Sequence, residues 1–122
     1  MFASYYDKSY TSQHSFTERR AEFNKIRAKY MDKIPVIVDS NLLKTNKFLL
    51  DESLTIGQLM FNIRKSMKKV DPGTGYFMFY QNTILRSNAV IGDIFYDFQE
   101  TKTLEDDGFL YFVLAKENTF GC

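Results

Sequence analysis

Few residues in this 122-residue chain could do chemistry, and fewer could do it together. There is one histidine, His14, and one cysteine, Cys122, too few nitrogen and sulfur ligands for a zinc site. A lone cysteine also forms no internal disulfide. His14 lies in a polar stretch with no catalytic serine and aspartate around it, and is read as a solvated side chain. Gly-Thr-Gly at 73–75 follows a helical segment, whereas both glycine fingerprints for phosphate binding lead from a strand into a helix. The acidic run Glu105-Asp106-Asp107-Gly108 lacks the alternating ligand spacing of a calcium loop and is read as a solvated turn. What remains is ENTFGC (117–122), directly after the apolar run FLYFVLA (109–115). A glycine this near a chain end, such as Gly121, is usually no more than fraying. Cys122 as the last residue does not fit the Cys-aliphatic-aliphatic-X pattern of prenylation. No enzyme activity, metal or cofactor is expected.

The totals describe one domain with its own core. Hydrophobic residues make up 44% and charged residues 25%, which argues against disorder. Twelve Phe and eight Tyr favour sheet surfaces and aromatic cores. No apolar run reaches the roughly 20 residues that span a bilayer, and MFASYYDKSY lacks the basic-then-apolar order of a secretory signal. A reduced, cytoplasmic compartment is expected. Residues 1–70 carry 13 Lys/Arg and 7 Asp/Glu, and residues 71–122 carry 3 and 8, so the two parts differ as +6 and −5. That asymmetry is compatible with a mixed solvated surface, or with a basic face suited to acidic partners or anionic surfaces. No aromatic-basic reader motif appears, so nucleic acid is not expected.

The elements that would position such a tail can be read from periodicity. Residues 16–30 form a helix opened by a Ser15–Glu18 capping box, with Phe16, Phe23, Ile26 and Tyr30 on one stripe. Residues 1–10 could hold a further short helix. IPVIV (34–38) is a continuous apolar strand, paired as a hairpin with KFLL (47–50). Residues 55–69 are helical, with a Thr55–Gln58 capping box, a Leu54–Leu59 staple and a stripe of Ile56, Met60, Ile63 and Met67. YFMFY (76–80) is a strand, Asn88 caps a short helix over 89–98, and 109–115 is the last strand, apolar on both faces. From residue 34 onward this is the order of an α+β, ubiquitin-like β-grasp with a four-stranded mixed sheet. Strands apolar on both faces need cover on both, and the N-terminal helical extension is expected to lie on the face opposite helix 55–69. The expected divisions are an extension (1–33), a β-grasp core (34–116) and a flexible tail (117–122), all in one structural domain.

Taken together, FTERRAEFNKIRAKY-MDKIPVIV (16–38), KFLLDESLTIGQLMFNIRK (47–65) and DGFLYFVLAKENTFGC (107–122) resemble the autophagy ubiquitin-like modifiers, the family of GABARAP and the microtubule-associated light chains. The resemblance covers nearly all of the chain beyond residue 10. It implies that a cysteine protease removes Cys122 to expose Gly121, which E1-like and E2-like enzymes carry as thioesters. The glycine carboxylate then forms an amide with phosphatidylethanolamine, placing the protein on autophagosome membranes. It also implies capture of short aromatic-x-x-aliphatic motifs of cargo receptors, the peptide adding a strand beside 47–50. The first pocket would use Glu22, Ile26, Pro35, Lys47, Leu49 and Phe109, and the second Phe48, Leu50, Leu54 and Leu59. Lys47 and Arg64 would meet acidic groups of the peptide. Microtubules are a further partner that the resemblance implies.

Several positions depart from the family pattern. Asp51 stands for a common proline and Asn62 for an apolar residue beside the second pocket. The 39–46 connection is shorter than in the animal relatives, and Thr45 and Asn46 stand where GABARAP has lysines. The competing reading is a non-conjugated ubiquitin-fold binding protein or microtubule-associated scaffold, in which Gly121 is incidental.

Overall fold

The protein is described by a computed structural model over residues 9–69 and 73–117. The short helix expected within 1–10 therefore falls largely outside the described residues, as do Gly121 and Cys122.

The chain opens with α1 (Tyr10–Gln13), capped by the Ser9 hydroxyl, and α2 (Phe16–Lys29). The α2 capping box forms as read: the Glu18 amide donates to Ser15 Oγ at 3.2 Å and the Ser15 amide to Glu18 Oε1 at 2.9 Å. Its stripe is narrower than expected. Phe23 is buried and Ile26 half-buried, but Tyr30 is the C-cap and exposed.

Strands β1 (Lys33–Asp39), β2 (Lys47–Asp51), β3 (Tyr76–Tyr80), β4 (Thr83–Ile84) and β5 (Leu110–Lys116) form one sheet in the order β2-β1-β5-β3-β4. β1 and β5 are parallel and the other pairs antiparallel, so the sheet is mixed but has five strands rather than four. The added strand is β4. Gln81 and Asn82 take positive φ of 50° and 66°, the backbone of a two-residue hairpin turn that needs left-handed residues, and this folds Thr83 back onto Tyr80.

Helix α3 (Ile56–Ile63) carries the expected second capping box, Thr55 with Gln58. It ends earlier than the expected residue 69. A 3₁₀ turn at Arg64–Ser66 follows, and Met67 is extended because its segment pairs with the 40–46 connection. The Lys44 amide donates to the Ser66 carbonyl at 2.6 Å and the Lys68 amide to the Leu42 carbonyl at 2.9 Å. Lys68 and Lys69 therefore lie beyond the helix and do not complement its dipole.

Helix α4 (Ile91–Thr101) begins later than read, and Asn88 is not its cap. The N-cap is Val90, without a side-chain bond; carbonyls of the 52–54 loop serve instead, accepting from the Ile91 and Gly92 amides at 2.8 Å each.

Facing residues of paired strands project to the same side. One face sets Pro35, Leu49, Ile37 and Tyr111 together under α2, where Phe23 meets the Phe109 ring edge-on at 5.4 Å. The other buries Ile34, Val36, Val38, Leu50, Leu110, Phe112 and Leu114 in one core with Ile56, Leu59 and Ile63 of α3. Both faces are thus covered, as the doubly apolar β1 required. β5 is less uniform than its sequence suggested, since Tyr111 and Val113 are only half-buried.

The approach of α2 to the β5 entrance is tightest at Gly108. Its φ is +105°, and a Cβ there would lie 2.4 Å from the Phe23 ring. Backbone strain and overpacking then act together, so Gly108→Ala is expected to cost about 3 kcal/mol. Calorimetry should show a melting temperature lower by about 10 °C.

Candidate functional site

Strand β2 is an edge of the sheet, hydrogen-bonded on one side only to β1. Its alternation sorts the proposed site residues onto two faces. Lys47 and Leu49 are exposed on the α2 side, and Pro35, opposite Leu49, is buried beneath them. Glu22 and Ile26, one turn apart on α2, are half-buried beside them. Lys47 Nζ reaches Glu22 Oε2 at 3.1 Å, tying helix to edge strand. Phe109 is 1% exposed and forms floor rather than surface. These six residues are brought together.

On the other side, Phe48 and Leu54 are half-buried, while Leu50 and Leu59 belong to the core, Leu59 at 1% exposure. The second group therefore offers two accessible side chains rather than four. Asp51 is held by an ion pair with Lys33, and Asn62 is exposed. Arg64 is not gathered with them. It lines a separate cleft of about 290 Å³ with Met67, Thr74, Gly75 and Tyr76, and none of the residues lining that cleft comes from β2.

Sequence reading missed Tyr10. Its ring lies 5.4 Å from Phe109, edge-on, with Lys47 Nζ 5.3 Å from its centroid and the His14 ring tilted against it at 4.7 Å. It covers the floor of the first group, and Lys47 faces an aromatic ring and a carboxylate at once. No local signal marked it, because the contact spans nearly 100 residues of sequence to Phe109.

The reading of Asp107 as part of a solvated turn is also corrected. Asp107 is 5% exposed and accepts three hydrogen bonds, from Arg19 Nε at 2.8 Å, the Phe109 amide at 2.9 Å and the Tyr111 hydroxyl. A buried carboxylate needs this much partnering. Arg19 is the reason the acid can be buried. Burial first, and the bond to Asp107 second, push the Tyr111 phenol well above its ordinary value. The unfolded chain releases that proton near pH 10 while the fold retains it, so the unfolded state binds fewer protons. The contribution is fully present below pH 10 and lost as pH rises above it. Tyr111→Phe is expected to flatten the fall in urea midpoint as pH rises above about 10.

Among the described residues no group of His, Cys, Asp and Glu could hold a metal ion, and no helix is long and apolar enough to cross a membrane.

The family model described as "Autophagy protein Atg8 ubiquitin like" matches residues 18–121. The chain belongs to the Atg8 ubiquitin-like family. Autophagy-related protein 8 of Dictyostelium discoideum is 35% identical over 119 residues, covering 93% of each chain. Autophagy-related protein 8B of Oryza sativa is 38% identical, over 93% of this chain and 95% of the relative. Among solved structures, Trypanosoma brucei ATG8 superposes with a TM-score of 0.73 at 27% identity, covering 91% of this chain and 96% of that one. Plasmodium falciparum Atg8, solved in complex with a peptide of Atg3 from the same organism, gives 0.68 at 26%, covering 88% and 94%. Atg8 proteins are autophagy-related ubiquitin-like modifiers or adaptors, not enzymes, which agrees with the lack of a catalytic constellation in the sequence.

Proposed function

We propose that this Atg8 protein is conjugated through Gly121 to phosphatidylethanolamine, and that on autophagic membranes it recruits cargo receptors by their aromatic-x-x-aliphatic motifs. The observation that carries the reading is that the family match runs to Gly121, with β5 delivering the chain at Lys116 on the way there. A processing cysteine protease removes Cys122, and E1-like and E2-like enzymes carry the exposed carboxylate. The Plasmodium relative's complex with an Atg3 peptide supports an E2-like partner.

The peptide would add a strand to the β2 edge, using backbone groups that the sheet leaves unpaired. Its aromatic side chain would enter between Ile26 and Leu49, displacing Tyr10 from the Phe109 floor, and its acidic flank would compete with Glu22 for Lys47. An exposed ion pair of this kind is worth about 0–1 kcal/mol, a small barrier to opening. The aliphatic residue would meet Phe48 and Leu54. The cytoplasm and the autophagosome membrane are the corresponding locations.

Intact mass measurement of membrane-bound protein from starved cells tests the conjugation directly. It should show loss of Cys122 and gain of one phospholipid. A membrane-bound species of unmodified mass would favour the non-conjugated scaffold.

A further inference from the structure

Four cations gather at the end of the domain from which the tail departs. β1 and β5 run parallel, so the end of β1 and the connection after it share that end with Lys116. The connection pairs with the segment after α3 through Leu43 and Met67, both buried. Alternation then turns Lys44 and Lys68 outward, and both are exposed. Arg64 and Lys65, also exposed, occupy the turn just before. The cleft Arg64 lines is walled by Gly75 and Tyr76, the same residues that pair with the β5 exit: Tyr76 faces Lys116, and the Glu117 amide donates to the Gly75 carbonyl at 2.8 Å.

Lys33 and Lys47 pair with Asp51 and Glu22, but among the described residues none of Lys44, Arg64, Lys65 and Lys68 has a carboxylate partner. Glu117, exposed, lies beside Gly75 of the same cleft. Phe61, 71% exposed on the last turn of α3, lines the same cleft one turn before Arg64. Unpaired cations beside an exposed aromatic ring are the composition of an interfacial membrane contact.

We propose that this surface rests on anionic phospholipid headgroups once the tail is anchored. The proposal builds on the reading that Gly121 carries the lipid. Gly121 is four residues on from Glu117, and a chain extends at most about 3.6 Å per residue, so the β5 exit stays within about 14 Å of the anchor. So short a tether lets Lys44, Arg64, Lys65 and Lys68 approach to within a Debye length of the headgroups, about 8 Å at physiological salt. The α2 surface and the β2 edge are left free for peptides.

The test couples the full chain through Cys122, its one cysteine, to a maleimide-headgroup phospholipid in preformed vesicles. The chemical anchor works whether or not cells conjugate Gly121, so the two readings fail separately; the Gly121→Ala variant in cells reports on conjugation alone. Hydrogen exchange is compared on phosphatidylcholine vesicles and on vesicles enriched in phosphatidylserine. Amides of residues 42–44 and 61–68 are expected to be protected on the anionic vesicles only, and to lose protection in high salt. Each cation near such a surface contributes roughly fivefold to the contact, so the triple variant K44Q, K65Q, K68Q should lower it by about a hundredfold and abolish the protection. Its melting temperature should match the wild type, since all three side chains are exposed. Equal exchange on both vesicle types, protection centred on α2, or protection that survives the triple variant would overturn the proposal. So would an acidic peptide that protects the same amides as well as the anionic vesicles do.

Discussion

Gly121→Ala is expected to fold normally and to remain off membranes during starvation, whereas removal of Cys122 from the coding sequence leaves attachment intact. Among the described residues the core ends with Leu114 of β5, seven residues before position 121, where the substitution adds one methyl group. What it does disturb is chemistry elsewhere. On the conjugation reading, the catalytic cysteines of the processing and conjugating enzymes must bring a sulfur to the carbonyl of residue 121, and the missing Cβ permits that approach. The loss should be nearly complete. A phospholipid brings two acyl chains and holds a protein stably, whereas the unconjugated chain has no such anchor. The pair of variants separates three readings. A lipid modifier loses membrane attachment on Gly121→Ala and tolerates loss of Cys122; a non-conjugated scaffold tolerates both; a protein prenylated at Cys122 is lost on removing that cysteine. Punctate, membrane-bound Gly121→Ala protein in starved cells would defeat the conjugation reading.

Local physics made most of the fold legible. Both capping boxes, the IPVIV strand and the hairpin with β2 follow from side chains within a few residues of one another, and these formed as read. The errors lie where distant segments decide. α3 stops at Ile63 because the 42–44 segment claims the backbone of 66–68. α4 is capped by carbonyls from the 52–54 loop, so no side chain announces its start. β4 was missed because two residues are too short for an alternation pattern, and Gln-Asn is a weaker turn signal than Asn-Gly. The same distinction runs through the site. The faces of β2 follow from alternation, but Tyr10 over Phe109 and Arg19 with Asp107 are pairings across almost the whole chain. Asp107 is instructive: its acidic neighbours made it look solvated, and only a partner 88 residues away makes its burial tolerable.

Ile26→Ala is expected to weaken an aromatic-x-x-aliphatic peptide by thirtyfold or more, and Leu54→Ala by less. Truncation at a binding hot spot costs about 2 kcal/mol or more, which is that factor in dissociation constant. Ile26 has the features of such a position. It stands half-buried on α2, one turn from Glu22, and packs against the core that includes Phe109. An aromatic ring entering there leaves water on every side. Leu54 borders a shallower place, because Leu50 and Leu59 are already committed to the core and Asp51 stands beside it tied to Lys33. Fewer apolar atoms are left to desolvate against a ligand, so less is lost on truncation. Folding is checked separately by thermal melts, since both side chains also pack against the core. Calorimetry then decides. A larger loss at Leu54 than at Ile26 would reverse the assignment of the dominant pocket, and unchanged affinity in both variants would mean the peptide does not bind along β2.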